Sequence, residues 1–291
     1  MMLPIDQLQL DQIEVQLPVL LIAALGLFIA GVLKGTTGLG YTTCALPILV
    51  TQMELRAAIV VVLIPALASN LLQMWSVGHV RETLLRFGVL YIALIPGIGY
   101  GIMLLVEIDQ AIAMQTLGSL TLLYAAFALP QPGLRIAPRF ERPLQLPVGL
   151  LNGVLTGLTG SQIIPLVPYM LALQLDPNRL VQAVNIAVAV ASAIMGLGLI
   201  VAGLMSAQLA LVSVLGILPA FAGMGIGNGI RAHIPDRAFR TLVLLVLAGM
   251  GLALAVPVSL INKAGQVVGR ASAGARSPPM LGPHRDAAGC G

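Results

Sequence analysis

Lys34 is a charged side chain set in oily surroundings. It lies within "GVLKGTTGLG" (31–40), where Gly35, Thr37, Gly38 and Gly40 follow it at the point where an apolar helix should be finishing its crossing of a membrane. A related stretch, "TGLTGSQ" (156–162), brings Gly157, Thr159 and Gly160 together in the second half of the chain. In a bilayer, backbone that leaves the helix survives only where protein buries it or where it lines a wet cavity. Paired breaks of this kind at matching places in two repeats point to a transporter's central site. A helix starting after each break would turn its N-terminal N–H groups, with their partial positive charge, toward the gap. Threonine hydroxyls and a lysine beside such ends suit a small anion.

Amides support the same chemistry. Asn70 and Gln73, and likewise Gln182 and Asn185, are spaced i, i+3 and so share a helix face. They fall in the third apolar segment of each half, where they can line a polar cavity or hydrogen-bond between helices. Glycines also have a second use. Gly31/Gly35, Gly97/Gly101, Gly149/Gly153/Gly157 and Gly223/Gly227 are small-xxx-small pairs of the kind that let membrane helices approach closely. Packing is the expected role for 97/101 and 223/227, and the site role for the denser clusters at 35–40 and 157–160. Lys34 has two open readings, a site residue within the membrane or a side chain that snorkels to the headgroups.

Other chemistries lack their parts. The sequence contains no G-x-S-x-G, H-E-x-x-H or C-x-x-C motif, and no aspartate pair in an apolar segment. His79 and His233 are expected in loops and His284 in a tail, while Cys44 and Cys290 stand in unlike settings, so neither enzyme chemistry, a metal, a cofactor nor a disulfide is expected. Carboxylates are missing from the apolar segments, which leaves the substrate's own charge, Lys34, or the rim residues Glu107 and Asp109 for any coupling to protons.

The elements that must position these residues are membrane helices. Apolar residues make up 58% of the 291 and charged ones 9%, against about a quarter charged in soluble domains, and the mean hydropathy is +0.99. Stretches such as "AAIVVVLIPALASNLLQMW" (57–75) are apolar on every face, which fits helices rather than barrel strands. The net charge of +4 comes from basic residues scattered through loops and a tail, a topology signal rather than a nucleic-acid surface.

The expected fold class is all-α, a polytopic bundle of about 8–10 membrane segments, some short or re-entrant. A polar segment (1–16) without a secretory signal precedes a first repeat (17–129). A connector (130–143), whose prolines bar a continuous helix, leads to a second repeat (144–260) and a disordered basic tail (261–291). "GVLKGTTG" from residue 31 and "GVLTGLTG" from residue 153 agree at six of eight places, which marks an internal duplication. Five segments per repeat invert the second copy. Placing the N-terminus outside puts Arg81, Arg86, Arg135, Arg139, Arg142, Arg179, Arg231, Arg237 and Arg240 inside, with Arg56 and the tail as exceptions. Segments 41–51 and 161–175 are short enough to be re-entrant.

The two glycine-rich motifs, together with "PLVPYMLALQLDPNRLVQAVN" (165–185) and "LPAFAGMGIGNGIRAHIPDRAFRTLVLLVLAGMGLAL" (218–254), resemble the TauE/SafE family of sulfite-exporter-type permeases. The resemblance spans about residues 20–258. It implies a secondary transporter of small anions, such as sulfite, organosulfonates or short carboxylates, in a bacterial-type inner membrane. It also implies a site near Gly35, Thr37, Gly38 and Gly40 and near Gly157, Thr159 and Gly160. Asn70, Asn185 and Lys34 join that set from their placement. The chain departs from the family where Tyr41 and Thr42 follow Gly40, where the second break reads "TGSQ", and at Lys34, which stands in place of a small residue. A passive anion channel and an accessory membrane subunit remain the alternatives, and the oligomeric state is open.

Overall fold

The computed structural model describes residues 17–38, 40–128 and 135–231, and 245, 248, 249, 251, 252, 254 and 255 of the last apolar segment. The expectations for 1–16, for the tail, for "HIPDRAFRT" (233–241) and for the Thr37 and Arg231 side chains lie outside the described residues.

All regular structure among the described residues is α-helical. The helices are α1 (Leu17–Thr37), α2 (Tyr41–Leu49), α3 (Leu55–Val77), α4 (Val80–Glu107), α5 (Gln110–Ala128), α6 (Pro138–Thr159), α7 (Leu166–Ala172), α8 (Pro177–Val201), α9 (Ala207–Leu215) and α10 (Ile217–Arg231). Five stretches are long and apolar enough to cross a membrane: α1, α3, α4, α8 and the α9–α10 run. The 9-residue α2 and 7-residue α7 reach only about 10–14 Å, against a hydrocarbon core of about 30 Å. Leu21, Leu25, Trp75, Leu85, Ile92 and Val201 face outward, while Lys34, Asn70, Gln182 and Asn185 are buried. That arrangement suits lipid outside and a polar centre.

Arg81 and Arg86 lie in the first turns of α4, which starts at Val80. The connector is shorter than the sequence suggests, because α6 begins at Pro138. A proline at the first helical position loses no hydrogen bond, and the missing donors of Pro143 and Pro147 fall where the helix is largely exposed.

Glycine pairs bring the helices together. Gly97 and Gly101 of α4 face Gly153 and Gly157 of α6, and Gly31 and Gly35 of α1 face Met224 and Gly227 of α10. A methyl carbon on Gly153 would stand 2.6 Å from the Leu94 carbonyl oxygen, closer than any real contact. The packing role expected for 97/101 and 223/227 is therefore the one seen. In each pair the helices run in the same direction, residue numbers rising together along the contact. α3 and α8 instead cross the centre in opposite directions. Gln73 and Val181 flank Gly38 at one level, while Leu63 meets Gly196 at another.

Pro65 interrupts the α3 ladder, and Ser213 of α9 fills the gap. Its hydroxyl donates to the Val61 carbonyl at 2.9 Å and accepts from the Ile64 N–H at 3.2 Å. The carbonyl freed by a proline thus finds a partner, as lipid-embedded backbone requires. At one end of the bundle Arg86 of α4 makes a bidentate pair with Glu141 of α6, at 2.6 and 2.9 Å. Arg179, next to the start of α8, reaches Glu82 of α4 at 3.3 Å. Arg56, an exception to the charge pattern, has a local task at the opposite end. It donates to the carbonyls of Leu105 and Val106 at 2.9 and 3.2 Å, at the C-terminus of α4.

Candidate functional site

Both breaks are built the same way. α1 runs through Lys34 and Gly35 to Thr37 and stops at Gly38, whose φ of 77° is left-handed and whose N–H donates to the Lys34 carbonyl at 2.7 Å. α6 runs through Gly157 to Thr159 and stops at Gly160, with φ 73° and its N–H on the Thr156 carbonyl, also at 2.7 Å. This is the glycine-terminated end that L-residues with a Cβ adopt only under strain. The breaks are thus narrower than the sequence suggested: Gly38–Gly40 in the first copy, and Gly160–Pro165 before α7 in the second. They also meet. A Cβ on Gly40 would touch Ile163 at 3.6 Å, and one on Gly160 would lie 3.1 Å from Leu46 of α2.

Lys34 sits beside the first break and is 1% exposed, which excludes the snorkelling alternative. Its Nζ donates to Asn70 Oδ1 of α3 at 2.6 Å and to Asn185 Oδ1 of α8 at 3.4 Å. The two asparagines are held alike. Asn70 Nδ2 donates to the Ala66 carbonyl at 2.6 Å and Asn185 Nδ2 to the Val181 carbonyl at 2.7 Å, each four residues back along its helix. Tying both amide nitrogens to backbone oxygens leaves both amide oxygens for the lysine, and the opposite flip would set NH2 groups against it. Among the described residues no carboxylate pairs with Lys34. Nearby, Gln73 Nε2 would lie 3.4 Å from a Cβ on Gly38, and its Oε1 has no partner among the described residues. One turn before Asn185, Gln182 is wholly buried, and neither of its amide atoms has a partner among the described residues.

The second break uses its hydroxyls internally. Thr156 Oγ1 donates to the Ser161 carbonyl at 3.0 Å, and Thr159 Oγ1 donates to the Leu155 carbonyl at 2.7 Å while accepting from the Ser161 N–H at 3.2 Å. Gln162 Nε2 donates to Ser192 Oγ of α8 at 3.1 Å, while its buried Oε1 has no partner among the described residues. A cavity of about 10 Å³ bordered by Thr42, Gly160 and Gln162 separates this break from α2. That volume is the threshold for one water.

The structure therefore gathers Lys34, Gly38, Asn70 and Asn185 into one cluster, and sets Gly160 and Thr159 in a second, across the meeting point of the breaks from Gly40. Gly35 and Gly157 face neighbouring backbone, Gly227 and Gly101 respectively, where an added Cβ would clash. Gln162 and Ser192 were not expected as partners. Their burial in otherwise apolar segments is the available sequence signal, but the link between them is set by the fold.

A family described as sulfite exporter TauE/SafE matches the chain over residues 22–254. No curated protein and no solved structure gives a significant match.

Proposed function

The chain belongs to the TauE/SafE sulfite-exporter family and is a multi-pass membrane transporter, and we propose that Lys34, held by Asn70 and Asn185, is the cationic end of a central site for one small anion. Sulfite, an organosulfonate or a short carboxylate fits that charge, and the compartment boundary is a bacterial-type inner membrane. The observation that carries this is Lys34 itself. A buried ammonium without a counter-charge costs several kcal/mol, and an anionic guest supplies the missing charge.

Two inverted repeats would move this site by alternating access. Support comes from the equivalent pairings α1 with α10 and α4 with α6, from the opposite directions of α3 and α8, and from the equal anchoring of Asn70 and Asn185. Gly38 and Gly160 end their helices so that the backbone of both copies can turn at the centre.

Proteoliposomes holding the full chain test the reading with labelled sulfite, sulfate, sulfoacetate and short carboxylates. Saturable uptake with counterflow for at least one anion is expected. Flux that rises linearly with concentration and shows no counterflow would indicate a channel, and no flux of any anion would indicate an accessory role.

A further inference from the structure

Resting on that transport reading, we infer that Lys34 is also the proton-coupling group, taking up one proton with each anion bound and giving it up when the anion leaves. The argument is a count of donors and acceptors. Around Nζ stand two fixed acceptors, Asn70 Oδ1 and Asn185 Oδ1. A neutral amine has two N–H donors and a lone pair, so it satisfies both oxygens. An ammonium has three donors and one unit of charge, and so has one donor and its whole charge left for a guest.

Among the described residues no carboxylate stands ready to hold that charge. Of the elements packed on this part of α1, α2 brings Tyr41 and Cys44, both buried and neutral as phenol and thiol. α3 carries Arg56, bonded to the end of α4, and Glu54 precedes it at that same far end. α8 carries Arg179, paired with Asp176 and Glu82 at the rim. α10 ends in Arg231, whose side chain lies outside the described residues. An empty carrier returning with a protonated Lys34 would therefore bury a lone cation, whereas a neutral Lys34 keeps its two hydrogen bonds and carries no charge.

The cycle balances. On loading, the Nζ lone pair takes a proton from water on that side, R–NH2 becoming R–NH3+, and the monoanion binds the new cation. On the other side the anion departs and the proton returns to water. Each turn moves one anion with one proton and no net charge for a monoanion. The single cation also sets the guest's valence, favouring hydrogen sulfite or a monocarboxylate over a dianion.

The test uses full-length protein in liposomes containing a pH-sensitive dye, with sulfite as the probe and ionophores to set pH gradient and membrane potential separately. The expected result is sulfite-dependent proton entry, accumulation driven by an inward proton gradient, and a rate that the potential leaves unchanged. In Lys34→Arg the charge is permanent, so whatever anion flux remains should carry no proton signal and should follow the membrane potential. A structural role for the side chain would lower flux without changing its ratio to proton entry, and residual flux that still brings a proton in would overturn the inference. If Lys34→Arg does not fold, the wild-type dye signal still decides. Saturable sulfite flux that follows the potential and produces no proton signal overturns the inference alone. The absence of saturable flux overturns it together with the reading on which it rests.

Discussion

Replacing Gly97 by alanine, with Gly99→Ala as its control, isolates what holds α4 to α6. The two positions share a helix and a substitution, so their intrinsic propensity change is the same. Their surroundings are not. A Cβ on Gly97 would stand 2.5 Å from the Leu150 carbonyl oxygen, 3.0 Å from Gly153 Cα and 3.1 Å from Val154 N, whereas one on Gly99 meets nothing within 4 Å. Ordinary contact begins at 3.4 Å, so the shortfall at Leu150 is 0.9 Å. Each of these neighbours is backbone, and no rotamer change can relieve the clash. The helices must separate, which also loosens the Gly101–Gly157 contact one turn on. Overpacking of this kind costs about 1–3 kcal/mol. For a protein of this size that corresponds to a melting temperature lower by roughly 2–5 °C, while Gly99→Ala should be unchanged or slightly higher. Thermal unfolding of the purified protein in one detergent, followed by circular dichroism, measures both. Equal melting temperatures for the two variants would refute the claim that direct backbone contact at these glycines carries the interface.

Other expectations follow from single contacts. Ser213→Ala removes the partner of the Val61 carbonyl and should destabilise by about 1–3 kcal/mol; adding Pro65→Ala restores the α3 ladder and should recover most of the loss in the same melting assay. Asn70→Asp places a carboxylate against Lys34 and neutralises it from within, so anion flux in proteoliposomes should fall at least tenfold, about 1.4 kcal/mol or more, with little change in melting temperature. Unimpaired flux in that variant would remove Lys34 from the site.

How far the residues disclosed this arrangement depended on whether one residue type could serve two ends. Asn70 and Asn185 were legible, because a lone amide in an apolar helix needs a partner and the two fell in corresponding segments. Gly35 and Gly157 were ambiguous: a glycine at a break and a glycine at a close crossing look the same until the opposing backbone of α10 or α4 is known. Lys34 could snorkel or stay inside, and its partners on helices far away in sequence decide the matter. The helices α1 and α6 run on to Thr37 and Thr159, and only the left-handed Gly38 and Gly160 stop the ladder. Ser213 carries no signal of its own in the sequence, since its role depends on a proline in a distant helix. The overall helical, multi-pass character was legible throughout, because composition alone determines which solvent the surface must face.

The lysine between matched asparagines has a counterpart in the other copy that is threonine, Thr156. Whatever symmetry the two halves keep in their backbone, they lack it in charge. If the halves exchange shapes as the carrier works, its inward-facing and outward-facing forms cannot be mirror states of equal energy. The protein then has a preferred resting orientation, and a directional bias is set by one side chain rather than by the scaffold.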